Sequence, residues 1–177
     1  MQFSFFNIFD KWFISLGIES EYATLLASVL SFVLVLVTAV IAYQILNRVV
    51  IKNLKKLTEK TKVEWDNVFF EMKVFKWLSH LIPAFIIYFG AAASLDPFPD
   101  AVTFFQRASN LYMAITGILV IEAVINSLHQ IYNLLSVSKN RSIKGYVQVI
   151  KIFLYILGTG IVLSILYRKT SQPFLPV

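Results

Sequence analysis

No cysteine occurs among the 177 residues, which excludes a disulfide frame, a thiolate nucleophile and a Cys-based metal site. Charge is scarce as well. Asp, Glu, Lys and Arg together make up 15% of the chain, against about 25% in an ordinary soluble domain. Only two histidines are present, with no HExxH, Walker loop or Ser-His-Asp pattern. The expectation is a protein that is not an enzyme and uses no cofactor or metal. What is abundant is apolar surface, at 58% of residues with a mean hydropathy of +0.71. A soluble fold of this size leaves roughly a third of the unfolded chain's surface facing water. Such a composition therefore argues against a soluble enzyme and a free nucleic-acid-binding domain.

The apolar residues come in four long blocks. Tyr22 to Leu46 is 25 residues without a charge, about 37 Å as a helix, enough to cross a hydrocarbon core of about 30 Å. Its β-branched residues weaken a helix in water, but in lipid an unpaired backbone costs far more. Trp77 to Leu95 forms the second block, with Pro83 expected to kink it by freeing the Ser79 carbonyl. The third, Ala108 to Leu135, contains one acid, Glu122. The fourth, Tyr146 to Tyr167, has Lys151 near its start. The fold class expected is an all-α membrane protein with four transmembrane helices over residues 21–167. A short tail, 168–177, follows. Residues 1–20 are expected to precede the spans as an amphipathic interfacial helix, because Phe5, Phe6, Phe9, Trp12 and Phe13 recur at helical spacing around Asp10 and Lys11. A helix packed on the spans is the alternative.

Topology follows from Lys and Arg in the short loops. Residues 47–76 contain Arg48, Lys52, Lys55, Lys56 and four further lysines, and residues 136–145 add Lys139, Arg141 and Lys144. Residues 1–21 have only Lys11, and 96–107 only Arg107. The basic loops are expected on the cytoplasmic side, close to anionic lipid headgroups, with both chain ends outside. Membrane lipids are thus the expected partners. The net charge of +6 is used up by this topology, so no nucleic-acid partner is expected.

Glu122 is the one acid inside a block, and an intramembrane carboxylate is a functional candidate by default. Asn126, His129 and Asn133 follow at i+4, i+7 and i+11, on the same helical face. Such a stripe serves as a polar seam to a neighbouring helix or as a proton relay. His80 has no ligand-spaced partner and reads as an interfacial residue, and Asp96-Pro97-Phe98-Pro99-Asp100 reads as a tight turn. Ala23/Ala27/Ser31, Gly90/Ser94 and Gly160/Ser164 are small-residue pairs at four-residue spacing that allow helices to approach closely.

Arg141-Ser142-Ile143-Lys144-Gly145-Tyr146-Val147-Gln148-Val149-Ile150-Lys151, leading into an apolar span, resembles the segment before the pore helix in a five-span branch of the MscS-like mechanosensitive channels. Arg141, Lys144, Gly145, Tyr146, Gln148 and Lys151 carry that likeness. Trp65-Asp66, Glu71, Val74-Phe75, His80-Leu81-Ile82-Pro83-Ala84 and Phe6-Asn7-Ile8-Phe9-Asp10 are similar to the branch's first loop, second span and opening. The resemblance extends to about Leu166. It implies a homoheptamer in the bacterial inner membrane that opens under bilayer tension during osmotic downshock. The residues from Tyr167 to Val177 do not resemble the branch's entry into its pore helix. The expectation is a truncated, tension-sensing part of a channel subunit, not conducting by itself. The alternatives are a small proton-coupled transporter built on Glu122 and a non-transporting membrane scaffold.

Overall fold

The computed structural model describes residues 5–50, 68, 73–134 and 143–167. Its described elements are helices: α1 (Phe5–Ser15), α2 (Ser20–Ile45), α3 (Val74–Ser94), α4 (Pro99–Leu134) and α5 (Lys144–Tyr167), with a π-helical turn at Leu46–Val50 ending α2. The last four helices are each long and apolar enough to cross a membrane. The all-α class with four such helices is therefore as the hydropathy blocks imply.

Helix ends differ from the blocks, and each difference has a local cause. α4 begins nine residues before Ala108, at Pro99, whose fixed φ suits a first helical position. Its early turns contain Thr103, Gln106, Arg107 and Asn110, so hydropathy alone hides them. With 36 residues, α4 is about 54 Å long. α3 starts three residues before Trp77, after Lys73 in the left-handed region at φ 62°. Pro83 lies inside continuous α3.

The helices pack as a row of antiparallel neighbours, α2 on α3, α3 on α4 and α4 on α5, with α1 laid against α2 and α3. Small side chains make the contacts. Ala23, Ala27, Ser28, Ser31 and Ala39 of α2 are buried, as are Ser79, Ala84, Ala91 and Ser94 of α3. Larger side chains point outward, including Val33, Val37, Phe85, Phe89 and Phe104. This inverts a soluble core, as expected where lipid solvates the outer face and packing alone draws helices together. At the α2–α3 crossing, a Cβ on Gly90 would run into both Val35 methyl groups, 2.9 Å from Cγ2, so a larger residue forces the two helices to shift. Near one end, Phe32 of α2 stacks obliquely on Phe105 of α4, centroids 4.4 Å apart, beside buried Ala91 and Leu95.

In α1, Phe6, Phe9, Asp10 and Phe13 turn toward the other helices while Ile8, Lys11 and Trp12 face out. Thr24 of α2 donates to Asp10 Oδ1 at 3.1 Å, so α1 has a tertiary partner. Charges divide between the two ends of the row. Arg48, Lys73, Lys76 and Lys144 lie at one end, while Asp10, Glu19, Glu21, Asp96 and Asp100 outnumber Lys11 and Arg107 at the other.

Candidate functional site: a charged contact between two spans

Glu122 sits two-thirds of the way along α4 and faces α5. Its Oε1 is 3.8 Å from Lys151 Nζ, and the Tyr155 side chain lies beside the same carboxylate. Lys151 and Tyr155 are one turn apart on α5, so both reach the same facing position. Each member of the ion pair keeps about a quarter of its side chain exposed. In lipid the pairing offsets two charges that would each be costly alone. One turn further, Gly158 meets Ile118, and a Cβ there would come within 2.9 Å of the Ile118 Cγ1. Gly158 is the sole buried residue of α5. The contact of α5 with the row is thus a narrow stripe with Gly158 at its closest point and Lys151–Glu122–Tyr155 as its polar part.

The other seam residues occupy different surroundings. Asn126 and His129 are half-buried, and Asn133 is exposed close to the end of α4. Ser127, on an adjacent face, is fully buried and donates back to the Ala123 carbonyl at 2.8 Å. Glu122 is therefore engaged across to α5, through Lys151 and Tyr155. Spacing on α4 alone could not reveal either partner. The available signal was the i, i+4 pairing of Lys151 and Tyr155 within an otherwise apolar segment.

A second polar contact ties α2 to α3 near the basic end. His80 Nδ1 is 2.7 Å from the Lys76 carbonyl, which only accepts, so Nδ1 carries a hydrogen. In the neutral ring Nε2 then accepts from the Tyr43 hydroxyl at 3.3 Å. Trp77 and Tyr43 rings flank the imidazole at 5.7 and 4.9 Å. Ser79 is fully buried, with its hydroxyl 2.7 Å from the Lys76 carbonyl and 3.3 Å from Asn47 Oδ1. His80, which has no Asp, Glu or His at ligand spacing in the sequence, is held by Tyr43 of the neighbouring helix.

Of the basic residues, Arg48 is exposed on the π-helical turn and Lys144 opens α5. Lys52, Lys55, Lys56, Lys139 and Arg141 lie outside the described residues. Gly145, Tyr146 and Gln148 are exposed on the first turns of α5, and Lys151 is the member of that motif that turns to Glu122. Pro83 borders an apolar crevice of about 380 Å³ between α2, α3 and α4, together with Leu36, Ile87, Phe105 and Tyr112. Among the described residues no three His, Asp or Glu gather as a metal site. Gly160 faces open space, so the close approach of α5 falls at Gly158, one step away from the Gly160/Ser164 pair.

Comparison with protein-family models, curated proteins and solved structures returned no match.

Proposed function

We propose that this chain is the lipid-facing, tension-sensing region of an MscS-like mechanosensitive channel subunit, acting in a bacterial inner membrane with its basic end in the cytoplasm. The observation that carries the reading is the attachment of α5. Of this 24-residue apolar helix only Gly158 is buried, and its tertiary contact runs along one stripe of α4. A stimulus shifts an equilibrium only through a free-energy difference between two states. For membrane tension that difference is the area presented to lipid. A helix held along one edge changes that area by pivoting, without dismantling the α2–α3–α4 packing. The resemblance of residues 141–151 to the segment before a channel's pore helix supports the same reading, because α5 is then the helix that would pass its movement onward.

The test uses the absence of native cysteine. Spin labels at Val37→Cys on α2 and Ile156→Cys on α5, both outward-facing positions, report the distance between the two helices in liposomes. Adding lysolipid to one leaflet, which mimics tension, is expected to change the α2–α5 distance by several ångströms while an α2–α3 pair stays fixed. An α2–α5 distance insensitive to lysolipid and to bilayer thickness would defeat the proposal.

A further inference from the structure

A polar notch lies at the acidic end of α4, away from the Glu122 contact. Thr103, Gln106, Arg107 and Asn110 line it, Ile165 of α5 closes its far side, and its volume is about 200 Å³. All four polar residues are half-buried on a helix whose neighbouring residue Phe104 is two-thirds exposed. Gln106 is already committed, donating to the Tyr88 carbonyl at 3.4 Å. We propose that this notch holds the phosphate of a zwitterionic aminophospholipid, with Arg107 as its principal donor and Asp100 receiving the lipid's ammonium group.

Three observations select that ligand. The first is depth. Arg107 is the last charged residue before the uncharged stretch 108–121 of α4, so it stands where the polar start of that helix gives way to its apolar part. The second is the donor set. Thr103 supplies a hydroxyl, Asn110 a carboxamide and Arg107 a guanidinium fork, whose five N–H groups serve a phosphate alongside contacts within the protein. The third is the order of charge. Asp100, Thr103, Arg107 and Asn110 follow at i, i+3, i+7 and i+10 on one face, so the carboxylate comes outermost and the guanidinium deeper. A phosphoethanolamine headgroup presents a cation and an anion to match. An anionic headgroup such as phosphoglycerol meets Arg107 equally well but is repelled by Asp100 and Asp96. Exposed Phe104 and Leu166 give the flanks an apolar surface on which acyl chains can lie, which an inorganic phosphate would not use. The inference requires only that α4 crosses a bilayer, and it stands apart from the tension-sensing role.

The test is native mass spectrometry of the full chain released from vesicles of equal phosphatidylethanolamine and phosphatidylglycerol. The wild-type chain is expected to retain phosphatidylethanolamine preferentially. Arg107→Gln should lower that retention about tenfold, the usual scale for losing a charge-assisted contact. Arg107→Lys should recover part of it. Asp100→Asn, at an exposed position where folding is not in question, should leave adducts in place but reduce the preference for phosphatidylethanolamine about two- to fivefold. The proposal is overturned if the wild-type chain prefers phosphatidylglycerol, if Asp100→Asn leaves the preference unchanged, or if excess inorganic phosphate displaces the lipid. It is equally overturned if Arg107→Gln loosens α5 from α4 and lowers both lipids alike, because Arg107 would then be a tie between helices.

Discussion

The two flanks of α4 are built on different terms. On one side α3 packs through buried Ala84, Ala91 and Ser94, reinforced by α2 across the Gly90–Val35 crossing and the Phe32–Phe105 stack. On the other, α5 buries Gly158 alone and sets Lys151 and Tyr155 against Glu122. The attachments are also staggered along the axis. Gln106 faces Tyr88 on α3, whereas Ile118 faces Gly158 on α5. The midpoints of α3 and α5 are therefore offset along α4 by about 15 Å. A helix in lipid gains nothing from hiding leucines, so its hold on a neighbour depends on how closely backbones approach and on which polar groups meet. By that measure α2–α3–α4 is a fixed unit and α5 is an adjustable one.

The comparison breaks most visibly at glycine. Gly90→Leu drives a side chain into Val35 between two helices that each have a further neighbour, so the strain cannot be relieved by moving aside. The expected loss is about 3 kcal/mol, at the upper end for overpacking, measured by reversible unfolding in bicelles. Gly158→Leu meets Ile118 in the same way, but α5 can swing outward. Its cost in stability should be smaller, about 1 kcal/mol, while the α4–α5 distance read by spin labels grows by 2 Å or more. Gly160→Leu, which points into open space, is the matched control and should move neither quantity. If Gly158→Leu proves as costly as Gly90→Leu, the distinction between fixed and adjustable flanks is wrong.

Much of this architecture was legible in the sequence, and what escaped has a common reason. Four spans follow from apolar blocks of 19–28 residues that carry at most one Asp, Glu, Lys or Arg each, because backbone in lipid has no option but helix. The small residues Ala23, Ala27 and Ser31 on α2 mark a face that is buried. The true start of α4 escaped because a hydropathy window penalises Arg107 and Gln106, although a half-buried position beside another helix tolerates both. The partners of Glu122 and His80 escaped because helical spacing reports which residues share a face and never which helix that face meets. Lys151, Tyr155 and Tyr43 are 29, 33 and 37 residues away from those partners, beyond any local pattern. Gly158 and Gly160 are separated by two residues, which on a helix turns the chain through more than half a circle, so selecting the contact glycine requires the neighbour.

The smallest expected effect tests the polar part of the α5 contact. Glu122→Gln keeps the shape and a carbonyl oxygen beside Tyr155 but removes the charge that meets Lys151. Lys151 stays about a quarter exposed, so its ammonium can turn along its stem toward the basic end of the row. The loss should therefore be about 1 kcal/mol, less than for a fully buried pair. Lys151→Met should cost a similar amount, since it strands Glu122 on the side of α4. The double substitution removes both charges and leaves an apolar stripe around Gly158, so it should cost less than the two single changes added together. The difference, about 0.5–2 kcal/mol in a double-mutant cycle, is the coupling between the groups. Additive losses would mean that the two charges are solvated separately and that α5 is held by the apolar contacts of its stripe around Gly158. In that case Glu122→Gln would leave the α4–α5 distance unchanged, and the ion pair would have no part in setting where α5 rests.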